Sequence, residues 1–254
     1  MEKKIAIITG ATGGIGREFT RLMLNENVDE IWAIARNRGK LDALRVEFGE
    51  KIIPIAKDLS NTSELLDIEN MLSEQKPNVV YLINNAGLAK MASCRDFTAE
   101  EIDNTVNLNC KTPAVLCNMC IPYMQKGGRI LNISSASSFQ PLPYLNLYSA
   151  TKVFLKNYSR ALNVELKGTG ITVTAVCPGW VDTDLLMKEI NGKSVKFDGL
   201  VSPQKVCKKA LKDAKRGRDM SVCTMYVKWE HVLTKIFPQK TAMKTWLRNV
   251  KQYF

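Results

Sequence analysis

The sequence predicts an α/β domain built on a doubly wound parallel sheet with helices on both faces. Short runs rich in β-branched residues alternate with longer segments of helical spacing over roughly the first two thirds of the chain. The short runs are almost continuously apolar, which is typical of strands covered on both faces. The chain has 254 residues, of which 45% are hydrophobic, and this suits one large domain better than two small ones.

Each predicted strand is a short apolar run that ends in glycine or in polar residues. The first run, KIAIITG, ends in glycine, and later runs end in Asn-Asn-Ala-Gly, in two serines and in Pro-Gly. Ligands of such sheets bind at the carboxyl ends of the strands, so these endings mark the expected site. The strands are predicted over residues 4–10, 30–36, 51–59, 79–87, 129–135 and 171–179.

Between the strands, apolar residues recur at the spacing of a helix face. Thr98 followed by Glu101 forms a plausible capping box for the fourth helix. After Pro178 the alternation weakens, so we treat residues 1–254 as one domain with a core over 1–179 and a small C-terminal lobe over 180–254. The helices are predicted over residues 14–26, 39–48, 63–75, 98–124 and 147–167.

The composition favours a soluble protein of a reducing compartment, and we expect it in the cytoplasm. The apolar run from Ile5 to Ile8 is far shorter than a signal-peptide core, and no stretch is long enough to span a membrane. The seven cysteines are scattered, unlike a disulfide framework. Cys117 and Cys120 form a CxxC inside a helical apolar pattern, so we interpret them as buried thiols. His231 has no partner that would make it a base or a ligand, so we interpret it as a surface or packing residue and expect no metal site.

The positive charge is concentrated at the C-terminus. Of the net charge of +11, thirteen basic and only three acidic residues lie from Gln204 onward. Such a segment could meet an anionic membrane surface, a nucleic acid or an acidic partner. A solvated helical face is the simpler interpretation, and we expect no nucleic acid and at most peripheral membrane contact.

The first predicted strand runs directly into the motif TGATGGIG. Gly10 permits a tight exit from the strand, Gly14 allows the backbone to approach a diphosphate, and Gly16 allows close packing of helix on strand. The free N–H groups at the start of the helix face the anion. The position between a strand and a helix is the context of a Rossmann-type dinucleotide site, in which Thr12 and Ile15 are further expected contacts.

The end of the second strand predicts which dinucleotide binds. An acidic residue there would bind the ribose 2′-hydroxyl and repel a 2′-phosphate. The chain instead offers ARNR, with Arg36 and Arg38 but no carboxylate. A guanidinium suits phosphate, so we predict NADP(H) rather than NAD(H), with Arg36 as the reader because it follows the strand directly. Either arginine could instead be merely solvated.

Taken together, five motifs in order resemble the short-chain dehydrogenase/reductase family in its classical form. The resemblance runs from about Lys3 to Asp184 and implies an NADP(H)-dependent oxidoreductase. The motifs are TGATGGIG at 9–16, NNAG at 84–87, the strand that ends at Ser135, YSATK at 148–152 and PG at 178–179.

The resemblance implies a catalytic set of four residues. Tyr148 corresponds to the general acid/base, and Lys152, one helical turn away, binds the nicotinamide ribose. A cation at that distance, together with the positive nicotinamide ring, would favour the phenolate and lower a pKa that is ordinarily near 10. Ser135 corresponds to the serine that hydrogen-bonds the substrate oxygen, and its neighbour Ser134 should face the other side of the strand end. Asn109, rather than Asn107, matches the asparagine that holds a water in the proton relay.

Further cofactor contacts follow from the same resemblance. Asp58 and Leu59 match the pair that contacts the adenine ring, and Asn85 is the expected contact within NNAG. The backbone of Val181 and the hydroxyl of Thr183 match positions that hold the carboxamide. Asn84 to Gly87 should also stabilise the central strand.

One position departs from the family pattern. Members often carry a basic residue just before the second glycine of the turn, where this chain has Gly13. The NADP(H) preference then depends mainly on Arg36. The implied reaction transfers a hydride between the nicotinamide and a carbon that bears a hydroxyl or carbonyl group.

The substrate is expected to be hydrophobic, such as a hydroxysteroid, a fatty or polyketide-like chain, or a bulky ketone. Beside Ser135 and Tyr148, the expected contacts are Phe139, Leu145 and Trp180. These apolar residues could instead pack on one another as an ordinary lid.

The C-terminal segment 226–254 interleaves aromatic residues with lysines. Val232, Leu233, Ile236 and Phe237 predict an apolar helix face, for which we favour intramolecular packing over a subunit interface or a membrane surface. Dimers and tetramers are common in the family, so we expect a homo-oligomer.

Two alternative functions make different demands on the sequence. A non-catalytic NADP(H)-binding protein whose basic tail engages a partner would be expected to lack one of the catalytic residues, and a nucleotide-sugar epimerase would need a longer substrate domain.

Overall fold

The computed structural model describes residues 2–254. Over these residues seven strands form a parallel sheet in the order β3-β2-β1-β4-β5-β6-β9, and two further strands form a small antiparallel hairpin. The reversal of strand order beside β1 places a crevice between the carboxyl ends of β1 and β4. The strands are β1 (Lys4–Thr9), β2 (Glu30–Ala35), β3 (Ile52–Ala56), β4 (Asn78–Asn84), β5 (Arg129–Ile133), β6 (Thr172–Val176), β7 (Glu189–Ile190), β8 (Lys193–Ser194) and β9 (Met220–Ser221).

Helices cover both faces of the sheet, which confirms the predicted doubly wound architecture. The α-helices are α1 (Gly14–Met23), α2 (Arg38–Phe48), α3 (Thr62–Gln75), α4 (Ala99–Val106), α5 (Thr112–Cys120), α6 (Asn146–Glu165), α7 (Pro203–Lys215), α8 (Met225–Ile236) and α9 (Gln239–Val250). One apolar core joins the sheet to α1, α2 and α7, and a second joins it to α3, α5 and α6.

The two cores explain why the strands are apolar without alternation. In β1, Ala6 and Ile8 point into the first core, whereas Ile5 and Ile7 point into the second. Successive side chains of a strand point to opposite faces, so both faces need apolar residues when both are covered.

The predicted helix over residues 98–124 is divided in the structure. It begins with the expected capping box, in which Thr98 and Glu101 bond each other's backbone N–H groups. A π-helical turn over Asn107–Lys111 separates α4 from α5. At its end the Thr112 hydroxyl donates to the carbonyl of Leu59 at 2.6 Å. A π-turn inserts one extra residue into a helix, and such turns are frequent at functional sites.

The C-terminal lobe adds the hairpin, three helices and strand β9. The sequence analysis did not predict β9, which has two residues and pairs with β6 at the edge of the sheet. None of the helices over residues 2–254 is both long enough and apolar enough to cross a membrane. Cys117 and Cys120 are buried free thiols on α5, as predicted.

Candidate active site

The glycine-rich turn leaves β1 and enters α1 in a conformation that side chains would block. Gly10 has a φ of +62°, in the left-handed region that favours glycine. A Cβ on Gly16 would lie 2.1 Å from the carbonyl oxygen of Gly10, and a Cβ on Gly14 would lie 2.4 Å from Cγ2 of Thr183. The turn therefore brings the backbone of the strand, the helix and the segment after β6 into close contact.

Thr9 and Asn85 fix this turn to the end of β4. The Thr9 hydroxyl accepts the backbone N–H groups of Asn85 and Ala86, each at 3.0 Å. The Asn85 amide donates to the carbonyls of Thr9 and Gly10, each at 3.1 Å. The structure thus places the Asn85 side chain in support of the turn, at the wall of the cleft. The sequence analysis missed Thr9, because only the fold brings its hydroxyl to the next strand end.

The ends of β2 and β3 lie beside the turn. Arg36 is exposed immediately after β2, whereas Arg38 forms an ion pair with Asp42 at 2.9 Å. Asp58 follows β3 and accepts the hydroxyl of Ser60 at 2.7 Å, and Leu59 is buried. The guanidinium groups of Arg36 and Arg38 are both exposed, and that of Arg38 is paired with Asp42.

Lys152 is a buried cation one helical turn after Tyr148 on α6. Its Nζ donates to the carbonyl oxygen of Ile133 at 2.8 Å and lies 5.4 Å from the centroid of the Tyr148 ring. Burial lowers the pKa of Lys152 to about 8, because the charged form loses its hydration.

Tyr148 lines the cleft, and burial has the largest effect on the pKa of its phenol. Burial raises the pKa of Tyr148 to about 12, and a hydrogen bond with Ser135 counteracts this only in part. Burial therefore dominates the pKa of Tyr148 in the protein by itself. The predicted lowering depends on Lys152 together with the positive nicotinamide ring and stays a prediction.

Ser134 and Ser135 follow β5 and point to opposite sides, as the strand geometry predicts. The Ser134 hydroxyl donates to the carbonyl of Lys152 at 2.8 Å and is buried. Ser135 lines the cleft, where its Oγ accepts the backbone N–H of Ser137 at 3.1 Å. That bond orients the Ser135 oxygen beside Tyr148 in the cleft.

Asn109 lies in the π-helical turn and is almost fully buried. Its amide donates to the Leu88 carbonyl at 2.9 Å and to the Thr151 hydroxyl at 3.0 Å, while its carbonyl accepts the Leu88 N–H at 2.8 Å. Asn107 instead donates to the exposed Asp103. The structure therefore places Asn109, and not Asn107, against the helix that carries Tyr148 and Lys152.

A single cleft joins these residues to the C-terminal lobe. Its cavity volume is about 200 Å³. Most of the sequence-predicted catalytic and substrate residues meet there. The predicted residues that line it are Ile15, Asn85, Ser135, Leu145, Tyr148, Lys152, Trp180, Val181 and Thr183.

Phe139 does not lie in this cleft, so its predicted role in substrate contact is not supported. Residues Ala136–Phe139 form a 3₁₀ turn, which directs the Phe139 ring away from Ser135. The ring packs 4.2 Å from that of His231, and the Lys156 ammonium lies 5.5 Å from its centroid. Phe139 and His231 therefore attach α8 to the core by packing.

The lobe contributes cleft residues that the sequence analysis did not identify. Tyr226 and Glu230 come from α8, and Trp246 comes from α9, where its indole donates to the carbonyl of Pro143 at 2.8 Å. Burial raises the pKa of Glu230. No local pattern marks these residues, because they reach the cleft only through the packing of helices distant in sequence.

Comparison with known proteins agrees with this geometry. The family model described as short chain dehydrogenase matches residues 4–194, and the chain belongs to this family. An uncharacterized oxidoreductase of Staphylococcus aureus (strain N315) is 30% identical over 185 residues, which cover 71% of this chain and 79% of the relative.

Two solved structures share the fold over nearly the whole chain. A short-chain dehydrogenase from Sphingobium yanoikuyae in complex with NADPH is 27% identical, with a TM-score of 0.79 and 95% of each chain covered. The bulky-bulky ketone specific alcohol dehydrogenase from Comamonas testosteroni is 25% identical, with a TM-score of 0.74 and coverage of 95% of this chain and 94% of that one. The chain is thus an oxidoreductase, a short-chain dehydrogenase/reductase with a Rossmann-like fold.

Proposed function

We propose that this enzyme transfers a hydride between NADP(H) and a carbonyl or secondary alcohol of a hydrophobic substrate. The observation that carries the proposal is one cleft in which Tyr148 and Ser135 face apolar side chains from the lobe, with Lys152 buried beside them. The arrangement supplies a proton donor, a hydrogen bond for the substrate oxygen and an apolar environment at one place.

The residues present fit a dinucleotide. The missing side chains of Gly14 and Gly16 leave a turn whose backbone N–H groups lie at the start of α1, a site suited to a diphosphate. Arg36 offers an exposed cation at the end of β2, where the 2′-phosphate of NADP(H) would lie. When bound, this cofactor supplies or accepts the hydride.

The proton chemistry follows from the state of Tyr148. Because burial raises its pKa to about 12, the phenol is protonated at neutral pH. A protonated phenol can donate to the oxygen of a carbonyl substrate while Ser135 polarises that oxygen through a hydrogen bond. The carbonyl-reducing direction is therefore the first to assay.

The lining of the cleft supports a bulky apolar substrate. Leu145, Trp180 and Met187 lie in its wall, together with Trp246 of α9. A related alcohol dehydrogenase is described as specific for bulky-bulky ketones. We therefore propose hydroxysteroids, fatty or polyketide-like chains and bulky ketones as the substrate classes to test.

The test is an absorbance assay of NADPH and NADH oxidation with keto steroids, long-chain keto compounds and bulky aromatic ketones. We expect turnover with one class, and the Tyr148→Phe variant should lose about 10²- to 10⁴-fold because it lacks the proton donor. NADPH affinity should be unchanged in the variant. Tight NADPH binding without turnover on any class would favour the non-catalytic binding function instead.

A pair of charge reversals tests the cofactor preference. Arg36→Asp should move the preference from NADPH toward NADH by about 10-fold or more, because a carboxylate repels the 2′-phosphate and accepts the 2′-hydroxyl. Arg38→Asp is the matched control, since its guanidinium is already paired with Asp42. Equal shifts in the two variants would mean that overall charge, and not Arg36, sets the preference.

We also propose a homo-oligomer formed through α4 and α6. Ile102, Val106 and Phe154 on these helices are exposed apolar residues, and burial of such residues against a second copy would stabilise a dimer. Analytical ultracentrifugation of the wild type and of Phe154→Glu tests this interface. If the interface is correct, the variant should sediment as a smaller species than the wild type.

A further inference from the structure

Helix α8 turns its apolar side away from the protein. The exposed fractions are 64% for Met225, 62% for Trp229, 42% for Val232, 45% for Leu233, 68% for Ile236 and 53% for Phe237. The first five recur at the spacing of one helix face, and we refer to these six residues as the α8 face. Intramolecular packing of Val232, Leu233, Ile236 and Phe237, which the sequence analysis favoured, is therefore wrong.

The next helix shows the ordinary arrangement. On α9 the apolar side faces inward, with Val250 buried and Trp246 bonded to Pro143. Its outward side carries the exposed residues Lys240, Lys244 and Arg248. An apolar side that faces solvent is therefore a property of α8, and α9 does not share it.

The α8 face lies beside the mouth of the cleft. Its neighbour Tyr226 lines the cleft and is also exposed, and Glu230 of the same helix lines the cleft as well. Leu185 and Met187, from the segment after β6, likewise both line the cleft and remain exposed. An apolar rim therefore runs from the cleft onto the surface of α8.

The charges on the C-terminal helices of this rim are almost all positive, whereas the segment 182–198 carries both signs. Residues 225–254 contain six lysine and arginine side chains and one acidic side chain, Glu230. Lys228 and Lys235 lie on α8 and are exposed. Glu230, the one acidic side chain, lines the cleft and lies outside the α8 face. Exposed tryptophan and aliphatic residues between lysines match an anionic lipid surface.

We propose that the α8 face docks the enzyme on an anionic phospholipid bilayer, with the mouth of the cleft at the membrane. Apolar side chains would enter the boundary between headgroups and acyl chains, and the lysines would contact lipid phosphates. A second copy of this chain fits the face less well, because a two-fold contact would bring the lysines of both copies together. If the proposed function holds, a lipophilic substrate reaches Tyr148 directly from the bilayer.

The experiment is flotation of the full-length protein with vesicles of phosphatidylglycerol and phosphatidylcholine, and with vesicles of phosphatidylcholine alone. It uses neither cofactor nor substrate, so its result is independent of the proposed catalytic activity. We expect binding to the mixed vesicles that weakens as salt is raised and is weak on phosphatidylcholine alone.

A matched pair of double variants locates the contact. Trp229→Glu with Ile236→Glu should weaken vesicle binding by about tenfold or more, because two charges would have to enter the apolar boundary. Val46→Glu with Val164→Glu changes the net charge equally at positions that are 88% and 68% exposed on α2 and α6, and it should bind nearly as well as the wild type. Thermal melting of both variants checks that they are folded.

Tryptophan fluorescence tests how deeply the α8 face enters the bilayer, and it does so in the wild type, whose membrane contact is intact. Vesicles that carry brominated lipids should quench the tryptophan emission of the wild type, and Trp229→Phe should lose most of that quenching. The proposal is overturned if the wild type does not float with anionic vesicles, or if both double variants lose binding equally. A third outcome would also overturn it: the Trp229→Glu, Ile236→Glu variant binds vesicles like the wild type but sediments as a smaller species. In that case a second copy of the chain, and not a bilayer, would occupy the α8 face.

Discussion

The core over residues 2–179 and the lobe over residues 180–254 build their parts of the site in different ways. In the core, Asn109 and Lys152 are buried and held by hydrogen bonds to backbone atoms. In the lobe, Leu185, Met187 and Tyr226 line the same cleft yet remain exposed. Hydrogen bonds thus hold the polar side chains of the core in place, whereas exposed apolar side chains of the lobe form one wall of the cleft.

This difference predicts how each region responds to substitution. A buried polar group is costly to leave unpaired, so changes in the core should alter proton chemistry, cofactor binding or folding strongly. Apolar wall residues interact with substrate over their area, so changes in the lobe should alter substrate affinity more than the chemical step. Four predictions test this division, from the largest expected effect to the smallest.

The buried charge of Lys152 should make stability depend on pH. Its pKa in the folded protein is lowered to about 8 by burial, from an unperturbed value near 10.4. Between these values the unfolded chain holds a proton that the folded protein has released, so stability rises with pH across this window. We expect the wild type to gain about 2 to 3 kcal/mol relative to Lys152→Met between about pH 7 and about pH 10, measured by urea unfolding. A pH-independent difference between the two proteins would show that the ammonium is not buried at a cost.

The glycine-rich turn should respond to a single methyl group. Gly16→Ala places a Cβ 2.1 Å from the carbonyl of Gly10, so we expect a destabilisation of about 1–3 kcal/mol and weaker NADPH binding. In Gly13→Ala the new Cβ would find its nearest atom at 3.8 Å, and the expected change is below about 1 kcal/mol. Thermal unfolding and NADPH titration of both variants check the contrast, and similar losses would mean that the helix start is the sensitive feature.

The difference between the core and the lobe also explains which parts of the molecule could be predicted from the sequence. Six strands were predicted from periodicity, and motifs of the family resemblance predicted that Ser135, Tyr148 and Lys152 share one site, where they line one cleft. The π-turn was not predicted, yet it determines that Asn109 faces α6 while Asn107 bonds Asp103 at the surface. Its extra residue depends on tertiary contacts such as the bond from Thr112 to Leu59.

Predictions for the lobe failed for a different physical reason. Strand β9 has only two residues, too few to show a period, and its pairing with β6 is a long-range contact. One prediction for the core also failed: Phe139 was assigned to the substrate because it follows Ser135 closely, but a 3₁₀ turn directs its ring to His231. Glu230 and Trp246 reach the cleft through helix packing, for which the chain carries no local signal.

The wall residues of the lobe side should affect substrate affinity. Trp180 lines the cleft and packs against Phe197 in a tilted arrangement, with 5.0 Å between ring centroids. Trp180→Ala should raise KM for a hydrophobic substrate about tenfold, with a smaller change in kcat, because it removes aromatic contact area. Phe139→Ala is the control, since its ring lies outside the cleft and should change KM by less than about twofold. Steady-state kinetics of both variants measure these KM values. An equal rise in KM for Phe139→Ala would mean that the turn after Ser135 positions the substrate.

The smallest effect is expected at an ion pair that links the core to the lobe. Arg160 of α6 contacts Asp219, just before β9, at 2.6 Å, and both side chains are nearly half exposed. Solvent screening and the entropy of two flexible side chains limit such a pair to below about 1 kcal/mol. A double-mutant cycle with Arg160→Ala and Asp219→Ala in urea unfolding measures the coupling directly. A coupling above that limit would show that charge, and not the β6–β9 pairing and the apolar contacts of α7, holds the lobe on the sheet.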